Sequence, residues 1–244
     1  MTVSVSAKRR ARLSYETSPA IYNIMRWIIS RLVRLLYRYE VQGQENVPLE
    51  GPAILVVNHL HLFDPVVIMP AIPRRVTPLA AAKWCKNLFI GTILKMAGVI
   101  FVRRGEVDRQ ALRACFDVLE RGKLLAIAPE GTRSRKGSLQ RAKAGVAYIA
   151  TRTNALLVPV AVWGVEHLRD WKRLKRPTCH VVIGKPFRLP RPSGKATGDI
   201  LQELADLVML QIGALLPPAY RGVYAERVAA LEAGEHTGPQ VIPA

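Results

Sequence analysis

Short apolar runs alternate with segments of helical period along most of the chain. Residues 53–57 are five consecutive apolar residues, bounded by Gly51-Pro52 before and by polar residues after. That is the pattern of a strand buried on both faces. Similar runs predict strands at 39–43, 76–82, 98–102, 124–128, 155–163 and 179–184. Between them, helical spacing predicts helices at 21–39, 66–71, 83–97, 108–121, 144–153 and 200–216, with Gly122 closing the fourth as a C-terminal cap. Strands that alternate with helices predict an α/β fold, a mostly parallel central sheet of about seven strands flanked by helices. Pro159 inside the sixth run predicts a strand at a sheet edge or an irregular one.

The first helix carries a second pattern. At 100° per residue, Arg26, Arg31, Arg34 and Arg38 share one arc of about 140°. Ile21, Ile24, Met25, Ile28, Leu32, Leu35 and Leu36 lie opposite, and Trp27 falls within the basic arc. Such a helix either packs as a surface helix on its own core or lies in a membrane interface. Four arginines and no acid across nineteen residues favour the interface. The chain is therefore expected to divide into a basic flexible tail at 1–19 with Lys8, Arg9, Arg10 and Arg12, an amphipathic membrane-interface helix at 20–39, an α/β domain at 40–225 and a C-terminal tail at 226–244. The tail has no apolar stretch of the signal-peptide kind, and no run of about 18 uncharged apolar residues suggests a bilayer-spanning helix.

Charge narrows the class of partner. Lys and Arg number 36 against 18 Asp and Glu, a net charge of +18. Nucleic acid, an anionic membrane and a phosphorylated substrate all satisfy that balance. Aromatics make up only 7% and are not interleaved with the basic loops, which argues against a nucleic-acid stacking platform. Cys85, Cys115 and Cys179 are odd in number and widely spaced, so neither a disulfide framework nor a metal site is expected.

Three stretches place reactive side chains directly after predicted strands: His59 with Asp64, Arg103-Arg104-Gly105, and Glu130-Gly131-Thr132-Arg133. In a parallel sheet those loops open on one edge, so the three are expected to converge. A carboxylate five residues beyond a histidine can fold back onto one ring nitrogen and leave the other free as a base. No Gly-x-Ser-x-Gly sequence offers a serine nucleophile of the lipase type.

In their joint order these stretches resemble the glycerolipid acyltransferases typified by 1-acylglycerol-3-phosphate acyltransferase. Asn58, His59 and Asp64 match the family's first motif, and Gly98, Ile100, Phe101 and Arg104 its second. Residues Pro129 to Ser134 match the third, and Val158-Pro159-Val160 the fourth, so the likeness covers about residues 40–190. Two departures stand out: His61 where the family has Ser or Gln, and Ala128 where it has Phe. His61 reads as a bystander imidazole, and Ala128 leaves room beside the third motif.

The resemblance implies acyl transfer from acyl-CoA or acyl carrier protein, as co-substrate, to the free hydroxyl of 1-acylglycerol 3-phosphate, giving phosphatidic acid. His59 would act as general base and Asp64 would orient it. Arg104 and Arg133 would bind the acceptor phosphate, and Glu130, Gly131 and Thr132 would shape its pocket. No cofactor, metal or nucleic acid is expected, and the site of action would be the cytoplasmic face of the cell membrane, peripherally or monotopically. Other acceptors, such as glycerol 3-phosphate or an amino-acid lysolipid, fit the same motifs. A non-catalytic lipid- or nucleic-acid-binding protein is the alternative from another class.

Overall fold

The computed structural model describes residues 18–173, 175–192, 194, 196–235 and 239–244. The predicted basic tail lies outside these residues except for its last two positions. In chain order the elements are α1 (Pro19–Leu36), β1 (Arg38–Gln42), β2 (Ala53–Val57), α2 (Asp64–Ala71), β3 (Val76–Ala81), α3 (Leu88–Met96), β4 (Ile100–Val102) and α4 (Arg109–Glu120). They continue with β5 (Leu124–Ile127), α5 (Gly145–Thr153), β6 (Leu156–Trp163), β7 (Thr178–Ile183), β8 (Phe187–Arg188), α6 (Gly198–Gly213), α7 (Ala225–Glu232) and β9 (Ile242–Pro243). Seven strands match the predicted runs. The other two are two-residue pairings, too short to show any period.

The sheet runs in the order β1-β7-β6-β2-β5-β3-β4, with β8 beside β6 and β9 beside β8. Pairs within β2, β3, β4, β5 and β6 are parallel, as is β1 with β7, while β7, β8 and β9 enter by antiparallel pairings. All five residues of β2 are buried. Alternation sends Ile54 and Val56 to one face, where α4, α5, α6 and α7 pack, and Ala53, Leu55 and Val57 to the other, where α1 and α2 pack. An apolar layer on each face explains why the strand is a continuous apolar run.

Several boundaries differ from the sequence reading, each for a visible reason. Tyr37 turns extended and donates its hydroxyl to the Val165 carbonyl, so α1 stops at Leu36 and the chain enters β1. The predicted helix at 83–97 is broken at Asn87. Its side chain accepts from the N–H groups of Phe89 and Ile90 and so caps α3, after a 3-10 turn at Ala82–Lys86. The segment expected as a tail from 226 contains most of α7, anchored by buried Val228. Strand β6 lies inside the sheet, not at its edge. Pro159 tolerates this place because its carbonyl side faces the turn where β7 gives way to β8: the Gly184 N–H bonds the Pro159 carbonyl there. A Cβ at Gly184 would stand 2.9 Å from the proline ring, so glycine makes the room.

Helix α1 packs on the sheet through Tyr22, Ile29, Val33, Leu36 and neighbouring Tyr37. That is the flank of the helix, and of its apolar stripe it takes in only Leu36 at the border. Ile21, Ile24, Ile28, Leu32 and Leu35 therefore remain exposed, with Trp27 beside them under the Arg31 guanidinium. Among the described residues, no helix is long and apolar enough to cross a membrane.

Candidate active site

The site is built where β2 ends. Asn58 is buried, and its amide makes a double bridge to Val162: Nδ2 donates to the carbonyl and Oδ1 accepts from the N–H, each at 2.8 Å. This bridge fixes the end of β2 against β6 and aims the next residue out of the sheet. Asn58→Ala leaves both Val162 groups unpaired in the core. It is expected to cost about 2–4 kcal/mol of stability, measurable by chemical denaturation.

His59 follows, with its side chain 19% exposed. Its Nδ1 lies 3.0 Å from Asp64 Oδ2. The same oxygen accepts the His61 N–H at 2.7 Å, so the turn from His59 to Asp64 closes on one carboxylate. Asp64 opens α2 and is buried. Burial pushes its carboxyl above the ordinary value, and the His59 and His61 hydrogen bonds pull against that shift. With Nδ1 engaged, Nε2 is the nitrogen left to take a proton. His61 does not enter this pair. Its Nδ1 accepts the Phe63 N–H at 3.4 Å, and its ring leans on Phe63.

The loop after β5 grips the backbone of His59 from both sides. The His59 N–H donates to Glu130 Oε1 at 3.0 Å, and the His59 carbonyl accepts from the Ser134 N–H at 2.8 Å. The other Glu130 oxygen accepts from the backbone and side-chain N–H groups of Gln140, at 3.1 and 3.4 Å. Glu130 is only 2% exposed, and burial lifts its pKa to about 7. Both of its oxygens are thus taken up inside the chain, where the sequence reading placed a wall of the acceptor pocket. Ser134 stood in the third motif without an assigned role, and Gln140 was not singled out in the sequence. Their shorter contacts run through backbone N–H groups, which every residue but proline carries, so residue type gives little signal.

Gly131 turns the chain at a φ of 68°, its N–H bonded to the Ala128 carbonyl. The Lys143 side chain crosses it, 2.9 Å from where a Cβ would stand. The freedom of glycine is spent on this turn and this crossing. Thr132 and Arg133 are exposed at the mouth. Arg104, after β4, reaches Thr132 Oγ1 at 3.5 Å. Its neighbour Arg103 is held by Asp108, which also caps α4. The three predicted stretches therefore do meet at the carboxyl edge of the parallel strands. Among the described residues, no group of three or more His, Cys, Asp or Glu is placed to hold a metal ion.

A base held by a buried carboxylate, beside two exposed arginines, suits removal of a proton from a hydroxyl near a phosphate. Comparison with known proteins now decides the family. Residues 38–163 match the family described as Acyltransferase, which takes in every residue of this site. The chain belongs to the Acyltransferase family. It is 28% identical over 158 residues to the 1-acyl-sn-glycerol-3-phosphate acyltransferase of Borreliella burgdorferi, covering 64% of this chain and 61% of that protein. It is 27% identical over 183 residues to the human 1-acyl-sn-glycerol-3-phosphate acyltransferase alpha, covering 72% of this chain and 63% of that one. The chain thus spans less than two thirds of these relatives. The crystal structure of the 1-acyl-sn-glycerophosphate acyltransferase PlsC from Thermotoga maritima superposes with a TM-score of 0.60 at 22% identity, over 87% of this chain and 80% of that one. That likeness shows a shared fold. The matched region runs from β1 through β6, while β7, β8 and β9 of the sheet lie beyond it.

Proposed function

We propose that this protein transfers a fatty acyl group from an acyl thioester to the free hydroxyl of 1-acylglycerol 3-phosphate, yielding phosphatidic acid. The observation that carries the reading is the His59–Asp64 pair at 3.0 Å at the mouth of a site with exposed Arg104 and Arg133. His59 Nε2 takes the proton of the acceptor hydroxyl as the oxygen attacks the thioester carbonyl. Asp64 holds the ring and offsets the charge of the imidazolium. The thiol of coenzyme A or of acyl carrier protein then leaves with the proton His59 holds. No covalent acyl-enzyme is required, and no cofactor or metal takes part in this scheme.

Arg104 and Arg133 bind the acceptor phosphate, a task that suits a planar, permanently charged donor. Thr132, next to Arg133 in the chain, is within reach of Arg104. Arg133→Ala is expected to raise KM for the phosphorylated acceptor about 10–100-fold, the worth of a charged hydrogen bond, with KM for the donor unchanged. A change confined to the donor would assign Arg133 to the thioester side.

The lipid acceptor places the protein on a membrane surface, peripherally, on the cytoplasmic side where acyl thioesters are made. The exposed apolar stripe and arginines of α1 support this placement. The testing experiment is acyl transfer by purified protein, with long-chain acyl-CoA or acyl carrier protein and 1-acylglycerol 3-phosphate, followed by separation of lipid products. Absence of phosphatidic acid with either donor, while another lysolipid or glycerol 3-phosphate is acylated, would replace the acceptor.

A further inference from the structure

The carboxyl edge of the sheet carries, beside the polar site, a set of apolar side chains that no described residue covers. Leu62 and Phe63 are exposed in the His59–Asp64 turn, and Val107 is exposed after β4. Helix α3 starts at the same edge, because it follows the 3-10 turn that ends β3. Its first residues, Leu88 and Phe89, are 91% and 76% exposed. The helix sits on that turn through Gly91, where a Cβ would meet the Trp84 and Cys85 carbonyls at 2.9 and 2.8 Å. Phe89, Ile93 and Met96 recur at helical spacing on the side opposite Gly91, and all three are exposed.

Charge says what covers this surface. Between Asp64 and Glu106 the chain has seven basic residues, Arg74, Arg75, Lys83, Lys86, Lys95, Arg103 and Arg104, and no acid. Lys83 and Lys86 are exposed immediately before α3. Apolar side chains that project among lysines, next to a basic site, match the boundary between anionic headgroups and acyl chains. A second copy would bring the same positive charge against itself.

We propose that the outward face of α3, with Leu62 and Phe63 of the His59 turn, inserts into an anionic bilayer and sets the mouth of the site at headgroup level. This goes beyond contact by α1: the attachment lies at the active-site rim, so an acceptor enters without leaving the membrane. The proposal rests on a lipid acceptor only for its purpose, since the insertion can be measured without catalysis.

The test compares the full chain with the double variant Leu88→Ser, Phe89→Ser, the two most exposed apolar positions of α3. Binding is measured by co-sedimentation with vesicles of equal phosphatidylglycerol and phosphatidylcholine. The double variant is expected to bind about tenfold more weakly or worse, the loss that follows from withdrawing two large apolar side chains from lipid. Its turnover of a short-chain acceptor kept below its micelle concentration stays at the parent level, while turnover of a bilayer-embedded acceptor falls with binding. Vesicle binding equal to the parent overturns the proposal, as does a parent that does not bind these vesicles. A concentration-dependent dimer that the double variant loses, with vesicle binding unchanged, assigns the face to a second copy instead. His59→Ala separates this proposal from the assigned reaction: loss of transfer with full vesicle binding leaves the two independent.

Discussion

His59→Ala is expected to lower acyl transfer by about 10²–10⁴-fold, the usual contribution of a positioned general base. The side chain is partly open to solvent, and Asp64 keeps the His61 N–H without it, so the thermal midpoint should change little. Asp64→Asn is the sharper companion. Asparagine has the same shape and can still accept the His61 N–H, so the turn survives. It cannot offset an imidazolium, because the amide carries no charge. A fall in kcat comparable to that of His59→Ala, with KM for both substrates nearly constant, is the expected pattern. Near-normal turnover in His59→Ala, measured on folded protein, would remove His59 from the chemistry.

The second large effect concerns Glu130. As a group that holds the His59 backbone, it should act on kcat, not on acceptor affinity. Glu130→Gln keeps one accepting oxygen and turns the other position into a donor. Either the His59 N–H or the Gln140 N–H then faces an N–H group, and the grip on the base fails on one side. We expect kcat to fall roughly 10–100-fold with KM for the acceptor within about twofold. A rise in KM alone would instead place Glu130 in contact with the acceptor.

The same carboxyl gives a pH signature. Both oxygens accept N–H groups, an arrangement that fits the ionised form, yet burial lifts the pKa to about 7. Activity should therefore rise with pH through about 7 as the clamp gains its second acceptor. Stability should move the other way. Between the ordinary carboxyl value of 4.5 and about 7, the folded chain keeps a proton the unfolded chain has lost. Stability from this group is present below that window and is lost as pH rises across it, by roughly 1–3 kcal/mol. Glu130→Gln has no such proton, and its stability should be flatter over the same range. An identical slope in both proteins would assign the titration elsewhere.

Much of this architecture was legible in the chain before any coordinates. Buried strands such as 53–57 and 124–127 announce themselves because each face meets a helix layer, so every position must be apolar. Asp108 before an apolar helical stripe and Gly122 after it gave α4 nearly to the residue. His59 and Asp64 were legible as a pair because only five residues separate them, within the reach of one turn.

Other features stayed hidden. Pro159 obeyed a sound local rule, that proline avoids interior strands, yet the partner strand departs opposite it and Gly184 clears the space. The stripe on α1 was visible, but not that the helix would dock by its flank and leave the stripe outside. Glu130 was visible as an acid after a strand. That it turns inward to His59, 71 residues away, depends on the turn at Gly131 and on the parallel register of β2 with β5.

Residue type and local spacing are properties of a few neighbours, so the sequence alone decided the seven longer strands, most of the helices, the His59–Asp64 pair and the excess of positive charge. Which atoms meet across distant segments depends on the register of paired strands and the direction of each loop, which are settled only when all layers pack at once. The clamp on the His59 backbone, the interior place of β6 and the uncovered apolar rim beside the site belong to that second kind. Each depends on what a neighbouring element leaves open or fills, which no single stretch of sequence encodes.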